Sequence, residues 1–439
     1  MRPTFIRLTA LTALLALAAC RPAASPDSAV TLRLGVALTP EELASFEPSL
    51  QAVDQAHQNW QVALQTTPQS GMLEKMNAQL ASGTLPDVVR LQGLLAQRWI
   101  RQQAFVDLTA YTDNAAFELD DYYAGPLDQF RWNDGLYGMP DTAAPDLVFY
   151  NLDMFDASAV PYPDDSWTFE DMRRAAVLLT LDADGRNPTE PGFDPATIQQ
   201  WGWNGGITNL WQRHLVQPFG GEFCANADCT LMDFTAASTL EAVRWWTSTL
   251  QQDFAAPFDP YSGEQTGIPG DPFLAGLAAM GYNGFFAVGQ LNGSGSIRYD
   301  IAQPFLGNTG ERFTPLSTNA YLISATTDHP EEAWELVQAL VSPSFLEQTW
   351  GAPGHSVPAR RSASASALNP ERPPQHQAVI LQAMEYGQVF LPHTASAFEA
   401  HGRTADLFLQ LMRGDLLLDS GLEQIEAAAN EALASDQSP

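Results

Sequence analysis

Apolar and polar positions alternate with a period of two in VTLRLGVAL (30–38), where Leu32, Leu34 and Val36 fall on one face, as in a strand with one side buried. The next segment, TPEELASFEPSLQAVDQAHQ (39–58), predicts a helix, with Pro40 and two glutamates in its first turn. NWQVALQTT (59–67) reads as a second strand and GMLEKMNAQLASG (71–83) as an amphipathic helix ending at Gly83. PDVVRLQG (86–93) then reads as a buried strand. Strands alternating with helices in this way predict βαβ units, a mostly parallel sheet and an α/β fold.

Two later helix starts are equally well marked. In DSWTFEDMRRAAVLL, Thr168 fits an N-cap with Asp171 three residues on, and Trp167 and Met172 hold the flanking staple positions. In DHPEEAWELVQALVSP, Pro330 sits in the first turn and Ala333, Val337 and Leu340 share a face. No tandem repeat is visible. RRSASASALNPERPP (360–374) reads as a loose, biased tract.

A chain of 439 residues is too long for one core, so two lobes are expected. Its 45% hydrophobic and 16% charged residues suit a globular protein, and no late apolar run is long enough to span a membrane. With 21 basic and 51 acidic residues the net charge is −30, and Lys75 is the only lysine. Such a surface excludes nucleic acid as a partner, because phosphate binding needs basic side chains. The acidity itself reads as a solubility feature.

The N-terminus reads as a secretory signal peptide over 1–19, with Arg2 and Arg7 ahead of a short Leu/Ala-rich stretch. Its end, Leu17-Ala18-Ala19-Cys20, resembles the lipobox of bacterial lipoproteins, which makes Cys20 the lipidated first mature residue. Residues 20–29, with Pro22 and Pro26, then form a flexible tether. An ordinary signal peptide is the alternative. Cys224 and Cys229 flank Ala-Asn-Ala-Asp, and in an oxidising compartment they predict a local disulfide; a metal site is the weaker reading.

Five stretches then appear in a telling order: MLEKMNAQLASGTLPDVVRL, GLYGMPDTAAPDLVFYNLDMF, SWTFEDMRRAAVLLT, LAAMGYNGFFAVGQL and TPLSTNAYLISATTDHPEEAWELVQALVSPSFLEQTWGAPGHSVPARRS. Their order and spacing resemble family 1 extracellular solute-binding proteins, the sugar-type receptors of ABC importers related to maltose-binding protein. The resemblance runs from about residue 30 to about residue 365. It implies a periplasmic-binding-protein-like fold of two α/β lobes with the ligand in the cleft between them and closure by hinge bending. Lobe one is expected from 30–141 and 305–345, lobe two from 145–303 and 350–439. The resemblance also implies a monomer without cofactor. It would be held outside the cell or in the periplasm by its lipid and would deliver solute to a membrane permease.

A sugar cleft needs flat aromatic platforms, with amides, carboxylates and guanidinium groups at their edges. WGWNGG (201–206) offers Trp203 and Asn204 on what reads as an exposed loop, with Trp203 reading alternatively as a core residue that covers the sheet. GYNGFF (281–286) offers Tyr282, Asn283 and Phe285 where the family often has Gly-Pro-Trp, so the exact platform departs from that pattern; Phe285 and Phe286 read alternatively as core. On the first lobe the turns after strands supply Thr67, Gln69, Arg90 and Gln92, and the crossover PDTAAPD supplies Asp141 and Thr142. Asp141 reads equally as a turn cap. Thr318, Asn319, Trp350 and His355 complete the set, with His355 a hydrogen-bonding residue and not a metal ligand.

LDADGRNPTEPG (181–192) lacks the calcium-loop spacing: counting from Asp182, glycine falls at position 4 and no glutamate at 12. It reads as a polar turn. The main expectation is a non-catalytic receptor for a sugar or oligosaccharide, with glycerol phosphate, a polyamine or a peptide as alternative ligands. The competing class is a surface-anchored glycoside hydrolase, since acidic residues abound; no nucleophile elbow, Ser-His-Asp arrangement or His-rich metal motif is present.

Overall fold

The computed structural model describes residues 29–113, 117–227, 229–389, 394 and 396–434. Cys20 and the rest of the leader lie outside these residues, as does the side chain of Gln69. Among the described residues there are eleven strands: β1 (Val30–Val36), β2 (Trp60–Thr66), β3 (Val88–Gln92), β4 (Arg131–Trp132), β5 (Gly135–Leu136), β6 (Met139–Asn151), β7 (Trp201–Trp203), β8 (Ala278–Gly284), β9 (Tyr299–Ala302), β10 (Leu316–Ile323) and β11 (Val357–Pro358). β4 and β5 form a small hairpin. The main sheet runs β2-β1-β3-β10-β6-β8-β7, with β9 and β11 also paired to β6.

The N-terminal pattern folds as its periodicity predicts. Leu32, Leu34 and Val36 of β1 are fully buried, and β1 is parallel to both β2 and β3. The helix Pro40–Ala56 starts with a reciprocal cap: Glu42 N–H donates to Thr39 Oγ1 at 3.2 Å and Thr39 N–H to Glu42 Oε2 at 2.8 Å. The helix Met72–Ser82 stops at Gly83. The helix Phe169–Leu179 is capped in the same way by Thr168 and Asp171. In Pro330–Leu340, Ala333, Val337 and Leu340 are fully buried, as one amphipathic face requires.

The tract at 360–374 is not loose. It carries a helical turn at Arg361–Ser364, Ala363 is fully buried, and Asp121 accepts from Arg360 Nε at 2.6 Å and from Ser362 Oγ at 2.7 Å. Small side chains that look like a spacer are here a means of packing backbone closely against a core.

Three apolar cores result. The first draws on 32–139 and 320–363, the second on 148–305 and 400–433, and a third between them gathers Ala143, Leu147 and Phe149 with Phe285, Leu316 and Ile380. β6 joins them. Its first half pairs with β10 and β11, its second half with β8 and β9. Phe305 packs in the second core, and Trp350, Ala359 and Ala363 in the first.

Cys224 and Cys229 are bridged, with Cα atoms 4.7 Å apart. The 181–192 segment is a turn that satisfies itself: Asp182 accepts from the N–H groups of Asp184, Arg186 and Asp194 at 2.9–3.0 Å, and Arg186 lies against it. No group of three or more metal-ligating side chains occurs among the described residues, and no helix among them is long and apolar enough to cross a membrane.

Candidate functional site

In an α/β sheet the open ligand site lies beyond the carboxyl ends of the parallel strands, because helix starts and turns leave polar groups and space there. In the register of this sheet, two such ends meet on one strand. Gln92, the last residue of β3, faces Asn319 of β10, and Asn319 faces Thr142 of β6. From the other side Gly284, the last residue of β8, faces Asp146 of β6. Residues 142–146 therefore lie between these two strand ends, where a ligand site of this sheet is expected, about 13 Å along the strand at ~3.3 Å per residue.

The first wall is stiff. Arg90 is buried, donating through Nε to Asp141 Oδ2 at 2.5 Å and through Nη2 to Thr142 Oγ1 at 3.1 Å. Its guanidinium lies 4.1 Å from the ring centroid of buried Trp350. Burial opposes the charge on Arg90, but Asp141, joined by Tyr321 and Glu42, outweighs it and raises the guanidinium pKa. These residues were expected at the ligand; the structure closes Arg90, Asp141 and Trp350 into a knot tying β3 to β6, with Thr142 and Thr318 also buried. Gln92 and Asn319 are half-buried and make only long contacts, to Ser317 at 3.3 Å and to Thr142 at 3.4 Å. Thr67, at the end of β2, accepts from Lys75 at 2.5 Å.

On the second wall, WGWNGG is a buried strand and not an exposed loop. β7 passes beneath the helix Phe169–Leu179 so closely that a Cβ on Gly202 would lie 1.9 Å from the Ala176 carbonyl oxygen, and Trp203 is only 1% exposed. It packs edge-on against Tyr282 at 5.1 Å and belongs to the core. Asn204 and Asn283 converge on Asp271, with Asn204 Nδ2 at 2.8 Å from Oδ2. Burial raises the Asp271 pKa, and these amides together with the Leu274 N–H partly offset that.

The two phenylalanines of GYNGFF divide unequally. Phe285 is 1% exposed in the third core, whereas Phe286, at the start of the helix Phe286–Ser294, is 59% exposed. Sequence reasoning passed over Phe286 because hydropathy cannot separate two adjacent phenylalanines. A Cβ placed on Gly284 would lie 2.7 Å from the Phe286 ring and 3.2 Å from Asp146 Oδ1, so glycine here leaves both groups room at the cleft floor. Asp146 was also missed, although an acid inside the apolar run of β6 is a readable signal. Burial with no compensating charge pushes its pKa up to about 7.

Tyr261 is 56% exposed. Beside it lies a recess of about 40 Å³ lined by Trp203, Asn204, Gln212, His214 and Tyr282. His214 is 8% exposed, its pKa is driven down to about 3 by burial, and its Nδ1 has no partner among the described residues. His355 lies elsewhere, on a separate cavity of about 700 Å³ along the helix Phe286–Ser294.

A family model described as bacterial extracellular solute-binding protein matches residues 39–345. A Brucella abortus protein named as a binding protein is 21% identical over 301 residues, which cover 67% of this chain and 68% of that protein. Among solved structures, an ABC substrate-binding protein from Listeria monocytogenes in complex with cycloalternan superposes with a TM-score of 0.76 at 20% identity, covering 93% of this chain and all of that one. A cyclic alpha-maltosyl-1,6-maltose binding protein from Arthrobacter globiformis gives a TM-score of 0.78 at 17% identity, with the same coverage. At such identities these structures establish the two-lobed fold.

Proposed function

Because the chain belongs to the family of bacterial extracellular solute-binding proteins, we propose that it is the receptor of an ABC importer for a sugar or oligosaccharide. The observation that carries this reading is the meeting of the β3 and β8 ends over residues 142–146, with the exposed ring of Phe286 beside them. An exposed phenylalanine at the mouth of a cleft offers a flat apolar face to a sugar ring. Gln92 and Asn319 on one side and Asp146, Asn204 and Tyr261 on the other supply polar groups for its hydroxyls. That the similar Listeria structure holds cycloalternan supports an oligosaccharide as ligand.

The lobes close around the ligand by bending where the chain crosses between them. A micromolar affinity corresponds to about −8 kcal/mol, within reach of ring stacking and a modest set of hydrogen bonds. The protein acts as a monomer, held to the membrane by lipid on Cys20, and hands ligand to the permease when the membrane subunits favour the open lobes. The test is a calorimetric titration of the full chain with linear and cyclic glucose oligosaccharides, with product analysis of the same mixtures. Stoichiometric binding without products, weakened in Phe286→Ala, is expected. Turnover would establish a hydrolase instead, and silence with all sugars would remove the sugar assignment.

A further inference from the structure

Asp146 is a carboxylate without a counter-charge. It forms no ion pair with any described residue, and nothing offsets the cost of its burial. Elsewhere the acids are matched: Asp141 holds Arg90, and Asp271 takes the Asn204 amide and the Leu274 N–H. The exposed ring of Phe286 lies beside Asp146 across Gly284, a Cβ on Gly284 falling 2.7 Å from that ring and 3.2 Å from Asp146 Oδ1. An unpaired acid beside an exposed aromatic ring is an arrangement that receives a cation, since carboxylate and ring face both attract it and the acid gains the partner it lacks.

We propose that the ligand brings its own positive charge: an amino sugar or amino-oligosaccharide whose protonated amine sits between Asp146 and the ring of Phe286. This inference rests on the sugar-receptor reading and narrows it.

The experiment is calorimetric titration of the full chain at neutral pH with three series of matched length: glucosamine, N-acetylglucosamine and glucose oligosaccharides. The glucosamine series should bind about tenfold or more tightly than the two neutral ones, and its affinity should fall with added salt while theirs stays level. In Asp146→Asn the preference for the glucosamine series should vanish, and a far-ultraviolet circular dichroism spectrum matching that of the unaltered chain shows that the variant is folded. Equal binding of all three series, or a preference that survives in Asp146→Asn, overturns the proposal and leaves the sugar receptor standing. Absence of binding by every series overturns both. Should Asp146→Asn not fold, the salt dependence of the unaltered chain decides alone: a salt-insensitive glucosamine affinity overturns the amine.

Discussion

Arg90 and Asp141 are joined by a 2.5 Å charged hydrogen bond in a place neither is free to leave. Arg90 arises from β3, Asp141 from the first half of β6, and Trp350 covers the guanidinium. The pair therefore fixes the strand that carries one wall of the cleft to the strand that floors it. Removing one member strands the other charge in the interior, which costs about 3–5 kcal/mol. Arg90→Leu or Asp141→Leu should lower unfolding free energy by that order in urea melts. The double replacement should recover much of the loss, because no buried charge is left unpaired.

Phe286 and Trp203 should respond in opposite ways to truncation. Phe286→Ala should reduce ligand affinity by about tenfold, while stability changes by no more than about 0.5 kcal/mol, since the ring is exposed. Trp203→Ala opens a hole in the second core and should cost about 3–5 kcal/mol in a denaturant melt. Loss of affinity without loss of stability at Trp203 would return that residue to the ligand.

Asp146 should make a destabilising contribution to the ligand-free protein that grows as pH rises from about 4 to about 7. Asp146 has a folded pKa near 7 against an ordinary value of 3.8, so between those values the folded chain holds a proton that the unfolded chain has released. The penalty is absent below the lower value, grows with pH and levels off above the higher one. His214 has the opposite sign: its pKa falls on folding, so its penalty appears as pH drops below about 6.5. Thermal melts at pH 5 and pH 8 should show a smaller fall for Asp146→Asn than for the unaltered chain.

Phe285→Ala should mimic Trp203→Ala and not Phe286→Ala, although the two phenylalanines are neighbours. Phe285 fills the third core beside Val288 and Leu291, so its loss should cost about 3–5 kcal/mol. Parallel melts of the two single variants separate a packing residue from a ligand platform.

The N-terminal strands, their helices and the caps at Thr39 and Thr168 were legible because they depend on local pattern and on hydrogen bonds within a few residues. The family resemblance supplied the two-lobed arrangement, which no local pattern contains. The cleft was less legible. Trp203 reads as a loop residue beside two glycines, and only the passage of β7 under another helix shows why a glycine stands beside it. Phe285 and Phe286 differ in exposure because a strand ends and a helix begins between them. The 360–374 tract looked like a spacer because small residues suit both open chain and close packing, and the choice lies with partners such as Asp121, some 240 positions away.

The long central strand also sets a timetable for folding. β1 finds β2 and β3 within about 60 residues, so that corner can form as soon as it emerges. β6 must wait, because β8, β9, β10 and β11 all follow it by more than 125 residues. Even then the second core lacks the helices Ala397–Arg413 and Leu418–Leu433. A chain that emerges from its N-terminus therefore carries the thirteen-residue β6 unpaired before any of these partners arrives. Its period of greatest exposure to aggregation and proteolysis falls before the chain is complete.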